Sequence, residues 1–308
     1  MPVVHNWHEM TLRQQPIIVS WRGIQTTIEL YSPLRPRGFF MTHYGVTPDK
    51  LTRIKATRTT QPITVDGDLS KAAWRDVTRS PRFVDMVSGE PAYYDTRVAC
   101  QYDDTHFYVA YWIEEPFVTA TMTERDSFIW FDNDVELFIG GDDCYYELEI
   151  NAFGTVYEAF FIWQDAHRKG GRFDTPQFDL YSRDVDLLAG FQDGRFGKHP
   201  RGRRWGFLDF DMPGLQTAVQ VQGSINDNSD VDKGWTVELA IPWQSLAFMF
   251  NGQSGAPAVG STLRCDFSRF EALRLHGAPL PQNPGWSLNA HGVYDSHIPE
   301  SFSIVEFA

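Results

Sequence analysis

Between positions 130 and 151 the chain offers one indole, three glutamates and an asparagine whose types and spacing could do chemistry: Trp130, Glu136, Glu147, Glu149 and Asn151. An indole is a flat apolar surface with one polar handle, while carboxylates and amides supply acceptors and donors beside it. A pyranose ring asks for that combination, a face to stack on and partners for its hydroxyls. From Asp134 onward the residues alternate in the strand period of two, so Val135, Leu137 and Ile139 point one way and Asp134 and Glu136 the other. After the turn-like Gly140-Gly141-Asp142-Asp143, Tyr146, Leu148 and Ile150 share one face, leaving Glu147, Glu149 and Asn151 on the opposite one. The expected unit is a half-buried hairpin with a carboxylate-rich outer face. An extended chain would hold Trp130 and Glu136 roughly 20 Å apart at about 3.3 Å per residue. They can share one sugar only if residues 131–133 bend back as a loop.

Clustered carboxylates repel unless a cation, an arginine or a shared proton stabilises them. Arg269, with Glu271 two residues later, is a candidate partner. A buried salt-bridge network or a solvated face is the other reading of the same acids. Trp286 follows Pro284-Gly285 and precedes Ser287, which suggests a loop, where aromatics more often serve function. Trp74, Trp112, Trp235 and Trp243 sit within apolar strand or helical patterns and are expected in the core.

The elements that must position these groups read as β structure. Strand patterns recur at 25–31, 97–102, 106–113, 217–223, 235–241, 262–270 and 303–307, with helix confined to a short turn at 69–74. Parallel α/β folds would need helices between the strands, and these are missing. The fold class is therefore all-β, an antiparallel β-sandwich of jelly-roll type. Residues 1–55 carry the breakers Pro33, Pro36 and Gly38 and read as an N-terminal arm, leaving 56–308 as the sandwich. Residues 176–213 show no periodicity and read as a long surface insertion, with Arg201-Gly202-Arg203-Arg204 as a solvated turn.

Composition excludes several function classes. A net charge of -13 repels phosphate backbones, so nucleic acid is not an expected partner. Aromatic residues make up 15%, including 10 Trp, more than packing alone usually recruits. Cys100, Cys144 and Cys265 are far apart and lack metal-ligand spacing, so no disulfide framework is expected. No apolar run is long enough for a membrane span and no signal segment is visible, so the chain as written is expected to be soluble and cytoplasmic. If it is a mature form, it would be secreted or periplasmic.

Five segments taken in order resemble the family 9 carbohydrate-binding modules, in the group of standalone family 9-like proteins. They are Ile63-Thr64-Val65-Asp66-Gly67 with Trp74, the stretch 130–136, Tyr145-Tyr146-Glu147-Leu148-Glu149-Ile150-Asn151-Ala152-Phe153-Gly154, Gly234-Trp235-Thr236-Val237-Glu238 to Pro242-Trp243, and the tail from Trp286-Ser287 through His297 to Phe302. The resemblance spans about 63–307. It implies a sugar-binding sandwich with a place in polysaccharide degradation, often with calcium as a structural ion, and no organic cofactor. In the family's best understood modules two Trp rings enclose a sugar, with a Glu six residues after the first and an Arg-x-Asn pair on the next strand. Trp130 and Glu136 keep the first spacing, and Glu149 and Asn151 fall on the pair, with a carboxylate replacing the arginine. Where the second Trp is expected, the chain has Tyr294 and His297. For calcium, which takes six to eight oxygen ligands, the acidic loop residues are Asp66, Asp68, Asp142 and Asp143; ordinary turn aspartates are the alternative.

The leading function is thus a carbohydrate-binding protein without chemistry of its own. The alternative is a glycan-active enzyme of glycoside hydrolase type, with Glu136 and Glu149 as its carboxylate pair. A haem-binding sandwich would need an axial His or Met pair, and none of the 9 His and 7 Met sits in such a pattern. A serine hydrolase lacks its Gly-x-Ser-x-Gly elbow.

Overall fold

The computed structural model describes residues 46–188, 199, 201–275, 278–280 and 282–308, preceded by the backbone of two short strands at 17–21 and 24–28. In chain order the strands are β1 (Ile17–Trp21), β2 (Ile24–Ile28), β3 (Arg53–Arg58), β4 (Val84–Asp85), β5 (Thr96–Tyr102), β6 (His106–Ile113), β7 (Asp134–Gly140), β8 (Cys144–Asn151), β9 (Val156–Trp163), β10 (Val185–Leu188), β11 (Arg204–Phe207), β12 (Gln216–Gln222), β13 (Gly234–Pro242), β14 (Thr262–Phe270), β15 (Arg274–Leu275), β16 (Ala278–Pro279), β17 (Gly285–Ser287) and β18 (Ser303–Phe307). Helix is limited to the single turn α1 (Ala72–Arg75) and a few 3-10 turns. Contacts divide the chain into Met1–Thr42 and His43–Ala308. The first unit holds the antiparallel hairpin β1–β2, with Ile17 opposite Ile28. Residues 29–31 of the strand expected at 25–31 lie outside the described residues.

In the second unit one 14-stranded sheet runs β10-β11-β9-β8-β7-β14-β18-β3-β5-β6-β13-β12, with β17 and β4 branching from β14. Neighbours pair antiparallel except at β18–β3 and β3–β5, which are parallel. The two halves face each other across those central strands. Val135, Leu137 and Ile139 of β7 and Cys265 and Phe267 of β14 pack in one apolar cluster with Val109 and Tyr111 of β6 and Val237 and Leu239 of β13. The Tyr111 hydroxyl spans the layers and donates to the Glu136 carbonyl at 2.8 Å. This is the expected all-β sandwich.

Smaller clusters cover both outer faces. On β5, β6 and β13, Ala99, Ala110 and Ala240 leave room for Trp74 of α1 and for Leu69. The Trp74 indole donates to Glu238 Oε1 at 2.7 Å, which satisfies its polar atom in a fully buried site. On the other half, Phe138, Tyr145, Tyr157 and Phe161 meet Ile129 and Phe302. Because this second face is covered, β8 and β9 are buried along their whole length, rather than half-buried with a wet outer face. Trp235 and Trp243 lie in the core as expected, while Trp112 is partly buried against α1 and beneath Arg79.

The stretch 176–213 departs from its reading as a surface insertion. It contributes β10 and β11, which extend the sheet from β9. Phe178, Phe207 and Phe210 enter the core, and Arg204, expected in a solvated turn, is fully buried. Apolar contact at irregular intervals, with no period, holds the segment.

Candidate functional site

The acids converge through the pairing register of three strands. Glu136 of β7 lies opposite Glu149 of β8 and opposite Ser268 of β14. Directly paired residues in an antiparallel sheet share a face with Cβ atoms about 4.5 to 5.5 Å apart. Asp134 is paired with Asn151 one step along. One carboxylate oxygen from each of Asp134, Glu136 and Glu149 lies within 4.8 Å of the others. All three side chains are buried, with residue exposures of 0%, 3% and 2%.

Burial governs their proton affinity. Asp134 is held well above the ordinary carboxylate range by burial first and by the Glu136 charge second. Glu149 is likewise raised by burial, then by Glu147, Glu136 and Asp134. Burial pushes Glu136 up to about 7, opposed first by the hydrogen bond from Ser268; Ser268 Oγ donates to Glu136 Oε2 at 2.6 Å. Asp134 Oδ1 accepts the Phe270 amide at 3.2 Å. Among the described residues its other oxygen, and Glu149 Oε2, have no hydrogen-bond partner.

Trp130 reaches this face by the bend that its separation from Glu136 demands. Ile129–Phe131 form a 3-10 turn, and Asp132 re-enters extended backbone. The Asp132 carboxylate pins that turn by accepting the Thr121 and Met122 amides at 2.8 and 2.9 Å. Asn151 takes part in the same anchor, donating to the Met122 carbonyl and to Asp132, and accepting from Phe153 and Thr155. All of these partners belong to the chain. The Trp130 backbone reaches the Glu149 carboxylate. The indole is half-buried, stacked on Phe128 at 4.6 Å and edge-on to Tyr157 at 5.2 Å.

Glu147 stands on the same face, where His297 Nε2 lies 3.4 Å from its Oε1. This contact is not an ion pair between charged groups. Burial and the nearby Arg204 hold His297 well below its usual range, and burial raises Glu147, so both tend to be neutral. His297 also meets the Tyr145 hydroxyl at 2.9 Å, which accepts from Arg204 Nε at 2.9 Å. Tyr294 packs edge-on to Phe270 at 5.4 Å. Its phenol is raised by burial and then by the Glu136 and Asp134 charges, which places it beside the acids.

Arg269 and Trp286 stand elsewhere. Arg269 pairs with Val135, so its side chain enters the inner layer and cannot neutralise Glu136 or Glu149. It donates to Glu271 Oε2 at 2.5 Å and to Thr96 Oγ1 at 2.9 Å, and lies 3.4 Å from Glu115 Oε2. Trp286, in β17 rather than a loop, is 2% exposed and lies 5.1 Å beneath the Arg269 guanidinium. The buried salt-bridge alternative therefore describes Arg269, Glu115 and Glu271, and not the Glu136 row.

The loop aspartates read as calcium ligands carry partners of their own. Asp66 pairs with Lys71 at 2.7 Å, and Asp68 accepts the Ser70 amide at 2.9 Å. Asp142 accepts Asn251 Nδ2 at 2.9 Å, and Asp143 pairs with Arg172 and Arg201. Among the described residues, the three acids whose oxygens do gather are Asp134, Glu136 and Glu149. The strand alternation put Asp134 on the right face, but Ser268, Tyr145 and Arg204 had no signal short of the register itself. A depression of about 400 Å³ lies at the far end of the hairpin, lined by Gly140, Asp142, Arg264 and Glu300 among others.

Residues 81–177 match the model of carbohydrate-binding family 9. The resemblance read from the motifs therefore stands, and the matched stretch contains the whole Trp130 to Asn151 hairpin. No curated protein matches the sequence. Among solved structures, a "putative carbohydrate-binding protein" from Bacteroides uniformis superposes with a TM-score of 0.53 at 16% identity, over 84% of this chain and 100% of that one. A family 9 module from Caldicellulosiruptor kristjanssonii in complex with glucose gives 0.47 at 12% identity, covering 83% and 96%. The same module type with cellotriose gives 0.47 at 13%, covering 83% and 93%. The first likeness shows the sandwich fold.

Proposed function

We propose that this chain binds carbohydrate on the outer face of β7 and β8, with the Trp130 indole stacking on a sugar ring and Glu136 and Glu149 accepting its hydroxyls. The observation that carries the reading is the family 9 match over residues 81–177, which encloses that hairpin. The turn at Trp130 supports it, because it brings the Trp130 backbone to the Glu149 carboxylate and the indole against Tyr157, the cross-strand partner of Glu149. That turn bears exposed aromatics, Phe128 at 47% and Phe131 at 66%, which add apolar surface at the rim.

Isothermal titration against a panel of β- and α-linked oligosaccharides tests the proposal. Saturable binding by the wild type, weakened at least about tenfold in Trp130→Ala, is expected. Absence of binding across the panel, or full affinity in the variant, refutes it.

One observation favours a second reading. Glu136 and Glu149 are direct cross-strand partners with oxygens within 4.8 Å, close to the spacing of about 5 to 5.5 Å in retaining glycosidases. Glu136, raised to about 7, has the proton affinity of a general acid. Release of reducing sugar by the wild type, abolished in Glu136→Gln while binding persists, would establish that activity.

A further inference from the structure

We propose that Asp134, Glu136 and Glu149 together hold one hard divalent cation of the calcium class. The first ground is geometry. A cation with oxygen ligands at 2.3 to 2.6 Å has opposite ligands about 5 Å apart, and one oxygen from each of these acids fits inside that span, all within 4.8 Å of one another.

The second ground is unmet demand. Among the described residues, Asp134 Oδ2 and Glu149 Oε2 are buried without a hydrogen-bond partner, in an interior where such atoms are nearly always satisfied. Both belong to side chains more than nine-tenths buried, on two of the three residues whose carboxylates gather. Asp134 Oδ1 and Glu136 Oε2 are occupied by Phe270 and Ser268, which fixes the orientation of those two carboxylates.

The third ground is charge. Among the described residues no Lys or Arg forms an ion pair with any of the three; Arg269 serves Glu115 and Glu271 on the opposite face, and His291, which pairs with Asp266, lowers Glu136 only in part. Asp266 adds negative potential beside Glu136. The donor set is all oxygen, with neither sulfur nor imidazole within it, which selects calcium, magnesium or manganese over zinc or copper. Glu136 and Glu149 are also the acids of the glycan reading, and ion binding measured without sugar is read independently of that reading.

The test is isothermal titration of the intact, chelator-stripped protein with CaCl2, and in parallel with MgCl2 and MnCl2. Binding of one equivalent of at least one of these ions is expected, with affinity lowered tenfold or more in Asp134→Asn and in Glu149→Gln. Asp66→Asn and Asp142→Asn, in the exposed turns, should bind as the wild type does. Both buried variants are nearly isosteric and remove a repulsive charge; Glu136→Gln serves as a third should either fail to fold. As an independent readout, the ion should raise the melting temperature of the wild type and leave that of every folded buried variant unmoved. No saturable binding by any of the three ions, or binding that the folded buried variants retain in full, overturns the proposal.

Discussion

Ser268 and Arg269 are consecutive residues of β14, yet they serve acids on opposite faces of one sheet. On the inner face Arg269 lies between Glu115 and Glu271, while Asn133 and the Trp235 indole satisfy Glu115 with donors at 2.7 and 2.6 Å. On the outer face Glu136 has the Ser268 hydroxyl, and among the described residues no ion pair reaches Asp134 or Glu149, each of which keeps an unpartnered oxygen. Burial is nearly complete in both places. Even beside Arg269, burial pushes Glu271 up to about 7; Asp134 and Glu149 are raised by burial and by one another's charges. The inner acids are thus matched by donors of the chain, whereas Asp134 and Glu149 each keep an unpartnered oxygen among the described residues, which is the ground on which a ligand is proposed there.

Breaking the inner set should have the largest effect. Arg269→Met strands Glu115 and Glu271 in the core, and is expected to lower unfolding free energy by about 3 to 5 kcal/mol, read from chemical denaturation. A cost below about 1 kcal/mol would mean the inner acids are no better matched than the outer ones. Trp130→Ala should lower glycan affinity at least about tenfold, or roughly 1.4 kcal/mol, while the inner network and the fold stay intact by circular dichroism. Glu149→Gln should have the opposite sign to Arg269→Met. Removing an unpaired buried acid is expected to stabilise the metal-free protein near neutral pH by at least about 1 kcal/mol, the worth of roughly one pKa unit. Destabilisation there would show that the outer acids are a satisfied network after all.

The smallest expected effect is a pH slope. In the fold Glu136 faces Asp134, Glu149, Glu147, Asp266 and His291, with Ser268 as hydrogen-bond donor. Its folded value of about 7 stands above the 4.5 of the unfolded chain. The folded state therefore holds the proton more tightly, and the associated stability is full below 4.5 and lost as pH rises through about 7. The melting temperature of metal-free wild type should fall across that window more steeply than that of Glu136→Gln. Parallel profiles would remove Glu136 from the account.

Much of the scaffold was legible because alternation of apolar and polar residues reports directly on strands with one covered face. β14 and β18 carry the ranges expected from pattern alone, 262–270 and 303–307. β9 carries no such pattern, since Val156–Trp163 is buried on both faces and reads as a nearly continuous apolar run. β10 and β11 are short, and their irregular spacing hid their pairing. Within the site, period two placed Glu136, Glu147 and Glu149 together, but the face of Arg269 depends on whether Glu136 meets residue 268 or 269. That register is set by long-range pairing. The roles of Asn151 as a loop anchor and of Asp66 and Asp143 as ion-pair members likewise depend on groups distant in sequence, among them Thr155, Met122, Lys71 and Arg201.

The most direct test of the central claim, that the uncompensated outer face of β7 and β8 is where ligand binds, is diffraction from crystals soaked with an oligosaccharide that titration has shown to bind. The account predicts a sugar ring against the Trp130 indole with hydroxyls within hydrogen-bond distance of Glu136 or Glu149. A sugar found instead in the depression beside Arg264 and Glu300, with the Trp130 turn closed over unliganded acids, would contradict it.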